Sequence, residues 1–427
     1  MPEGLAGPQG EFVAARLPGG LDAWVWRRRG LQNRCAALAV RFGAMDALFE
    51  VDGRELEVPD GTAHFLEHKV FETEKGSALA LFSRMGVRAN AFISYAVTAY
   101  HFTATENFWP ALRLLLGLVF TPRLTAEGVE AERRVIAQEI RMYEDDPAAK
   151  VIENLHRALY ARHPVRRRIA GTVESISRIT LELLLDCHRT FYHPSNAVFV
   201  AAGDLDPDRV FAEVAALVED SGAAAPPPAV RRLLPPEPSS PAASRVEARM
   251  PVKRPWFQLG FKDRPPDDLR GEALLRREAA VSLAAEVVFG LTSPLRDRLY
   301  REGLLDEGFS HRYAWDRSFA HLSAGGTTED PDRVSELLLE GISEWRQKGI
   351  SRRELESKRR KTLGEYTGLF DSLEGMSTLF LLYRLKGTGL VSYPEVLGRV
   401  SLEEVDETFR GLMVPERASV SVVVPAL

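Results

Sequence analysis

Two histidines and a glutamate lie within five residues of one another in the segment GTAHFLEHKVFE, residues 61–72. On an α-helix, residues four apart share one face, so His64 and His68 can direct both imidazoles at a single point. Glu67 lies beside them on the same helix. Zinc accepts neutral imidazoles, and a catalytic zinc needs three protein ligands and an open position for water. The spacing therefore predicts a metal site that still lacks one ligand.

The missing ligand should be a carboxylate or a histidine on another element. The segment VEAERRVIAQEIRMYEDD is predicted to be helical, and it carries Glu132 and Glu139 seven residues apart, on one face. The apolar residues Ile136 and Ile140 flank Glu139 and would bury its face. A buried carboxylate needs a partner, and a divalent cation is a strong one. Both glutamates are candidates at this point.

The alternative for any single histidine on an apolar helix is a hydrogen-bonded core residue. For the full His-x-x-Glu-His pattern, nine histidines in 427 residues make a chance match improbable. Zinc would lower the pKa of its bound water and polarise a carbonyl group, while Glu67 takes the proton of the water. The chemistry predicted from these residues is amide hydrolysis.

Composition excludes several classes of partner. The chain has 55 basic and 60 acidic residues, and this net charge of -5 offers no positive surplus for nucleic acid or an anionic membrane. Cys35 and Cys187 are far apart and read as reduced, buried thiols. The N-terminal segment lacks an apolar run of signal-peptide type, and ALRLLLGLVF is too short to span a bilayer. We expect a cytoplasmic protein that binds neither nucleic acid nor membranes.

A proline-rich stretch divides the chain into two similar parts. Residues 223–244 are predicted to form a stiff, extended linker without a core of its own, between a domain at 1–222 and a domain at 245–427. AHFLEHKVFE (63–72) aligns with VSLAAEVVFG (281–290), and LTAEGVEAERRVIAQEI (124–140) with ISRRELESKRRKTLGEY (350–366). Shared apolar spacing indicates a duplication. The second copy lacks the metal motif, because its corresponding residues are Ser282, Ala285 and Glu286.

Hydrophobic periodicity predicts the elements around the motif. Strands are expected at RCAALAVRF, YAVTAYHFTAT and NAVFVAAGD, and helices at TAHFLEHKVFE, NFWPALRLLLGLVF and AEGVEAERRVIAQEIRMYE. The mixture predicts an α+β fold of two similar domains from a duplication, each a mostly antiparallel sheet with helices packed on one face.

The motif resembles that of the pitrilysin-like (insulinase-type, mitochondrial-processing-peptidase-like) zinc peptidases, whose inverted His-x-x-Glu-His sequence matches residues 64–68. In that family a later glutamate, in a Glu-Arg-x-x-Val-type segment, completes the site. ERRVIAQE, residues 132–139, matches that segment. The resemblance implies Zn²⁺ as the cofactor, Glu139 as the third ligand, and Glu132 as a supporting carboxylate that joins Glu67 in the catalytic site. It covers most of the first half of the chain and, more weakly, the second.

The resemblance also implies a substrate and a partner. NAFISYAVTAY, residues 90–100, is similar to the family's edge strand, which pairs with an extended peptide, so Asn90, Ala91 and Phe92 are expected to bind substrate. Half-length members close their chamber by pairing two chains, sometimes a metal-bearing chain with a metal-free one. We therefore expect a peptide substrate and a homodimer, or a heterodimer with a related metal-free subunit.

The second half departs from the family pattern at one place. Active members carry an arginine and a tyrosine seven residues apart that hold substrate and stabilise the oxyanion, and here Tyr300 and Glu307 stand at those positions. The neighbouring candidates without a matching position are Arg298, Arg301, Phe309 and Tyr313. Loss of oxyanion donors costs a rate factor on the order of a hundred or more.

The sequence thus predicts a zinc-dependent endopeptidase or peptide-processing subunit that hydrolyses short or unfolded peptides. One alternative is a non-hydrolytic peptide-binding or assembly subunit of a heteromeric peptidase-like complex. A second is a metal-free scaffold whose histidines fill the core.

Overall fold

The computed structural model of the chain describes residues 3–7, 10–73 and 76–426. These residues form two compact units, each assembled from segments of both halves of the sequence. Unit 1 comprises Met1–Ile140, Arg168–Leu234 and Thr367–Val391, and unit 2 comprises Arg141–Arg167, Pro235–Tyr366 and Ser392–Leu427. The predicted domains are consecutive stretches of sequence, whereas the two units are defined by which residues pack together. The domain boundaries near residues 222 and 245 therefore stay a prediction.

The strands alternate with helices along the chain. The described strands are β1 (Glu3–Gly7), β2 (Gly10–Leu17), β3 (Leu21–Arg27), β4 (Arg34–Val40), β5 (Leu48–Val51), β6 (Arg54–Glu57), β7 (Glu72–Thr73), β8 (Gly76–Ser77), β9 (Arg88–Ile93), β10 (Thr98–Ala104), β11 (Ala197–Gly203), β12 (Val230–Arg232), β13 (Arg245–Met250), β14 (Trp256–Asp263), β15 (Ser310–Asp316), β16 (Phe319–Thr327) and β17 (Ala418–Pro425).

The described α-helices are α1 (Thr62–Val70), α2 (Ala78–Arg84), α3 (Phe108–Phe120), α4 (Ala126–Glu144), α5 (Pro147–Leu159), α6 (Val173–Ile176), α7 (Leu181–Phe191), α8 (Pro207–Asp220), α9 (Glu272–Phe289), α10 (Pro294–Arg301), α11 (Pro331–Lys348), α12 (Arg352–Leu369), α13 (Leu373–Lys386), α14 (Tyr393–Arg399) and α15 (Leu402–Leu412). The three helices and three strands predicted around the motif are therefore confirmed, with ends trimmed by one to a few residues.

The two sheets have the same design. Unit 1 has the strand order β1-β2-β3-β11-β4-β10-β9, and unit 2 has the order β13-β17-β14-β16-β15. In each sheet one neighbouring pair is parallel, β3 with β11 and β13 with β17, and the other pairs are antiparallel. The last five strands of unit 1 thus repeat the order and directions of unit 2. This confirms the predicted α+β fold with two similar, mostly antiparallel sheets.

Strand alternation gives each sheet two differently covered faces. On β4, Ala36 and Leu38 face a large core that is closed by α1, α3, α7 and α8. Cys35 points to the opposite face, where its Sγ lies 3.4 Å from Ser377 Oγ of α13. The small residues of β4 allow this close approach. A helix from the other half of the sequence therefore covers the second face, which the prediction of helices on one face did not include.

In unit 2, likewise, a helix from the other half of the sequence covers the sheet. Helix α5, which precedes the linker in sequence, packs on β14 and β17. Gly260 of β14 makes room for it, because a Cβ there would lie 2.8 Å from Leu155 and 3.1 Å from Leu159. The apolar side of α5 is thus buried against the sheet of unit 2.

Two segments differ from their sequence interpretation. Residues 90–100 do not form one strand, since β9 ends at Ile93 and the backbone turns at Ser94, whose N–H donates to the carbonyl of Val97. The proline-rich stretch is not without packing, because β12 pairs with β5 and Val230 contacts the core of unit 1. The first difference arises from a local turn between β9 and β10, and the second from strand pairing with a segment distant in sequence.

The most membrane-like segment of the described residues belongs to the core of unit 2. Residues Glu272–Arg301 are long and apolar enough to cross a membrane by length and composition, but most of this apolar stretch is buried inside the protein. The apolar face of α9 explains this composition, as it does for any core helix. Cys35 and Cys187 are free and buried, as expected.

Candidate metal and catalytic site

The start of α1 is fixed by a close backbone contact. Gly61 precedes the helix with φ +91°, and a Cβ there would lie 2.6 Å from the carbonyl oxygen of Ala170. Ser175 Oγ donates a hydrogen bond of 2.7 Å to the carbonyl of Asp60. Only glycine suits this backbone conformation and this distance. The loop before α6 therefore holds the motif helix at its first turn.

Helix α1 has an apolar side and a polar side. Phe65, Leu66 and Val70 are fully buried in the core of unit 1. His64 is also buried, whereas Glu67 and His68 are half-buried. Among the described residues, ligand atoms of these last three side chains all lie within 4.8 Å of one another. The helix thus turns the predicted ligands and base toward one small volume.

Glu139 of α4 completes this volume. Its Oε1 lies 3.6 Å from His64 Nε2, and its Oε2 lies 3.4 Å from His68 Nε2. Ligands bound to zinc at roughly 2.1 Å in tetrahedral geometry lie about 3.4 Å apart, so this donor set fits zinc. Ile136 and Ile140 are buried on the neighbouring face of α4, which is the packing that turns Glu139 toward α1.

Glu132 contacts His68 on the side of the imidazole opposite the candidate ligand nitrogen. Its Oε1 lies 2.9 Å from His68 Nδ1, so Nδ1 carries the proton of that hydrogen bond and Nε2 is left as the ligand atom. Burial disfavours a charged His68, but hydrogen bonds to Glu132 and Glu139 outweigh burial and raise the pKa of His68 to about 10, so a cation bound at Nε2 would displace the proton from that nitrogen. Hydrogen bonds from His64 and His68 hold the pKa of Glu139 well below its usual range. This concentration of negative charge suits a bound cation.

Glu67 has the environment of a base. Its side chain is 13% exposed, and its Oε2 lies 3.9 Å from His68 Nε2. Burial raises the pKa of Glu67, against the attraction of the two histidines. A carboxylate with a raised pKa accepts a proton more readily than an exposed one. Glu67 is therefore placed and tuned to accept a proton beside the position that the three ligands surround.

Lys69 is a charged neighbour that the motif did not point to. Its side chain is fully buried and pairs with Glu72 at the end of α1. The hydrogen bond from His68, helped by the charges of His68 and then of Lys69, keeps the pKa of Glu132 below its usual value against the effect of burial. In the sequence, the one sign of this buried charge was a lysine within the apolar run of a short helix.

The three predicted substrate-binding residues lie on β9, at the edge of the sheet of unit 1 and beside α1. Ala91 pairs with Tyr100 and faces the core, whereas Asn90 and Phe92 point to the other face, where Phe92 lies 6.3 Å from the ring of His101. The N–H of Ala91 donates to Asn90 Oδ1 at 2.9 Å and so is not used in the sheet. It is a donor directed away from β10.

Near Tyr300 and Glu307, where an arginine and a tyrosine were expected, most side chains make contacts within unit 2. Tyr313 OH donates to Asp263 Oδ2 at 2.8 Å, and Phe309 is buried in the core. Arg301 pairs with Asp297 at 2.8 Å on α10. Tyr300, at the expected arginine position, is 53% exposed. The expected arginine and tyrosine positions are occupied by Tyr300 and Glu307, and the neighbouring Arg301 and Tyr313 already have partners within unit 2.

Two family models match the chain. The model described as insulinase (peptidase family M16) matches residues 53–173, and the one described as the peptidase M16 inactive domain matches residues 178–362. Among relatives, the uncharacterized zinc protease YmfH of Bacillus subtilis is 34% identical over 419 residues, 96% of each chain. The zinc protease PqqE of Helicobacter pylori is 26% identical over 384 residues, 86% of this chain and 84% of that protein.

Solved structures give the same likeness. The crystal structure of an M16-like peptidase from Alicyclobacillus acidocaldarius superposes with a TM-score of 0.92 at 36% identity and covers 99% of this chain and 100% of that one. Pitrilysin superposes with a TM-score of 0.73 at 17% identity, and the match covers 99% of this chain and 46% of pitrilysin. The second likeness is one of fold.

Proposed function

We propose that this chain, which belongs to peptidase family M16, is a zinc-dependent endopeptidase or peptide-processing subunit that cleaves short or unfolded peptides. The observation that carries the proposal is the approach of both Glu139 oxygens to two imidazole nitrogens, with Oε1 at 3.6 Å from His64 Nε2 and Oε2 at 3.4 Å from His68 Nε2. Glu67 lies beside them, and Glu132 orients one ligand from behind. The names of the relatives, which are zinc proteases, support the same function.

The residues of the site divide the chemistry among them. When bound, Zn²⁺ polarises the carbonyl of the scissile amide and acidifies the attacking water. Glu67 accepts a proton from that water at a carboxylate oxygen and delivers it to the amide nitrogen as the C–N bond breaks. The products are a carboxylate and an amine, and Glu67 ends the cycle ionised. His68 keeps its tautomer because Glu132 accepts its Nδ1 proton in a hydrogen bond.

The edge strand β9 supports an extended substrate. A peptide that added a strand beside β9 would take the N–H of Ala91, which now donates to Asn90 Oδ1. Such pairing depends on backbone atoms and needs a substrate segment without its own secondary structure. This is the basis for proposing short or unfolded peptides, with Asn90, Ala91 and Phe92 as the residues that contact them.

A second proposal concerns the partner. Because Tyr300 and Glu307 replace the arginine and tyrosine expected in unit 2, a related metal-free chain would supply the missing oxyanion donors. This chain would then be the metal-bearing subunit of a heterodimer. A purely peptide-binding subunit is the alternative, and the presence of Glu67 argues against it, because a structural metal site has no use for a base.

The test is a digest of a diverse peptide mixture, followed by mass spectrometry. Zinc-loaded wild type is compared with Glu67→Gln at matched zinc content, alone and with a related metal-free subunit. The expected result is cleavage by the wild type and a loss of 10²-fold or more, on the order expected for a general base, in the variant. Equal turnover by both proteins would overturn the assigned mechanism.

A further inference from the structure

Unit 2 has an ion cluster at the positions that correspond to the metal site of unit 1. In the aligned sequences, Glu286 of α9 stands for His68 of α1, and Glu365 of α12 stands for Glu139 of α4. Lys361 lies on α12 one turn before Glu365. The two carboxylates therefore come from the same pair of helices that supply the metal ligands in unit 1.

The ammonium group of Lys361 lies between these carboxylates. Lys361 Nζ is 2.6 Å from Glu286 Oε1 and 3.1 Å from Glu365 Oε1. The Glu286 side chain is only 12% exposed, whereas that of Glu365 is 61% exposed. His311 of β15 approaches the same Glu286 oxygen with its Nε2 at 3.5 Å. The short bond to Glu286 thus ties α12 to α9 on the buried side of the cluster.

A second lysine lies deeper. Lys358 occupies the aligned position of Glu132, is buried, and donates to Thr292 Oγ1 at 2.7 Å. Where unit 1 places a carboxylate that supports a ligand, unit 2 places another ammonium group. Glu286 and Glu365 are thereby balanced by two lysines, Lys358 and Lys361, whereas beside the three carboxylates of unit 1 the lysine described above, Lys69, pairs with Glu72.

The carboxylate of Glu286 is also held sterically. Its Oε2 is buried and has no hydrogen-bond partner among the residues that the structure describes. A Cβ at Gly290 would lie 2.3 Å from this oxygen, so a glycine is needed for the carboxylate to occupy its position. The Glu286 end of the cluster is therefore built into unit 2, whereas Lys361 and Glu365 extend toward the surface.

We infer that Lys361 is the built-in cation of unit 2, and that its ammonium joins α9 to α12 as a divalent cation would join α1 to α4 in unit 1. Unit 2 then needs no metal for the link between these helices. The ammonium group also occupies the space between the two carboxylates, which in unit 1 a metal with its bound water would take. The inference concerns unit 2 alone and does not depend on hydrolysis by unit 1.

Hydrogen exchange with mass spectrometry tests it in the full-length chain. Lys361→Met keeps the length and apolar character of the side chain and removes its charge. We expect exchange in α9 and α12 to rise by about tenfold or more, because a buried carboxylate loses its partner. The control is Arg333→Met, which breaks an exposed pair with Glu336 on α11 and should leave the exchange of α9 and α12 unchanged.

A double variant and a chelator complete the test. In Lys361→Met with Glu286→Leu, both charges are gone, and exchange should return toward that of the wild type. A zinc chelator added to the wild type should leave α9 and α12 unchanged. Three results would each overturn the inference: no change in Lys361→Met, no recovery in the double variant, or loosening of α9 and α12 by the chelator.

Discussion

His68 uses its two ring nitrogens for different tasks, and Glu132 decides which nitrogen does which. The 2.9 Å contact between Glu132 and Nδ1 fixes the tautomer that presents Nε2 to the metal. We predict that Glu132→Gln weakens zinc binding by about 10- to 100-fold, the usual effect of losing such a supporting carboxylate. Competition with a chelator of known affinity measures this change.

A matched control lies on the same helix. Glu130 is 65% exposed and pairs with Arg133, so Glu130→Gln changes the same chemical group without touching the histidines. Its zinc affinity should equal that of the wild type. If both variants bound zinc equally well, Glu132 would have no positioning role.

At the residue scale, the metal site was predicted mainly from the spacing of residues within one helix. His64, Glu67 and His68 lie on one short helix, so the four-residue repeat was enough to bring them together. The choice between Glu132 and Glu139 as third ligand depended on the rotation of α4, and spacing alone left it open because both share a face. Lys69 was missed because its partner Glu72 lies beyond the end of α1, where helical periodicity no longer applies.

At the element scale, β9 offers a backbone donor that a substrate strand can use. We predict that Ala91→Pro lowers kcat/KM for peptides by about tenfold, since one backbone hydrogen bond of roughly 1 kcal/mol is lost together with local fit. The fold should persist, because this N–H takes no part in the sheet. Steady-state kinetics beside thermal unfolding measures both effects, and unchanged kcat/KM would argue against strand addition at this edge.

Two buried histidines, His156 on α5 and His163 just after this helix, make the core of unit 2 sensitive to acid. Burial lowers the pKa of His156 and of His163 to about 4 each. His163 Nδ1 also accepts the N–H of Val165 and must stay unprotonated to do so. In the unfolded chain a histidine has a pKa near 6.5, so between about pH 6.5 and pH 4 the unfolded state binds more protons.

Stability should therefore be complete above about pH 6.5 and fall as the pH decreases toward 4, with a slope of about 1.4 kcal/mol per pH unit for each histidine. Urea unfolding followed through unit 2 by hydrogen exchange at several pH values measures this slope. His156→Gln should reduce the slope of unfolding free energy against pH by about 1.4 kcal/mol per pH unit, the contribution of one histidine. A slope that His156→Gln left unchanged would exclude that residue as a source.

The sequence did not reveal that α5 and α13 each pack on the sheet formed mainly by the other half of the chain. The residues of α5 and α13 are amphipathic enough to be recognised as helices, but periodicity does not say which sheet an apolar face will cover. The small residues Cys35 and Gly260, which make room for these helices, are informative only once the strands are aligned. The duplication itself, by contrast, was predicted from repeated apolar spacing, and the structure adds the strand order that the two sheets share.

At the scale of the whole molecule, the proposed heterodimer depends on two positions in the second half of the chain. Tyr300 is exposed and Tyr313 is bonded to Asp263, so neither offers the arginine and tyrosine chemistry that the family uses. We predict that a related metal-free subunit carrying both residues raises kcat by about 100-fold or more over the chain alone. Peptide turnover titrated with that subunit measures the effect, and full activity of the chain alone would contradict the heterodimer.

The central claim is that His64, His68 and Glu139 form one zinc centre, because base, substrate strand and partner all depend on it. X-ray absorption at the zinc edge, on chain loaded with one equivalent of zinc, tests it most directly. We predict two imidazole nitrogens at about 2.0–2.1 Å and oxygen ligands at about 2.0–2.2 Å, with a changed spectrum in Glu139→Gln. Sulfur ligands, fewer than two imidazoles, or a spectrum unaffected by Glu139→Gln would contradict the account.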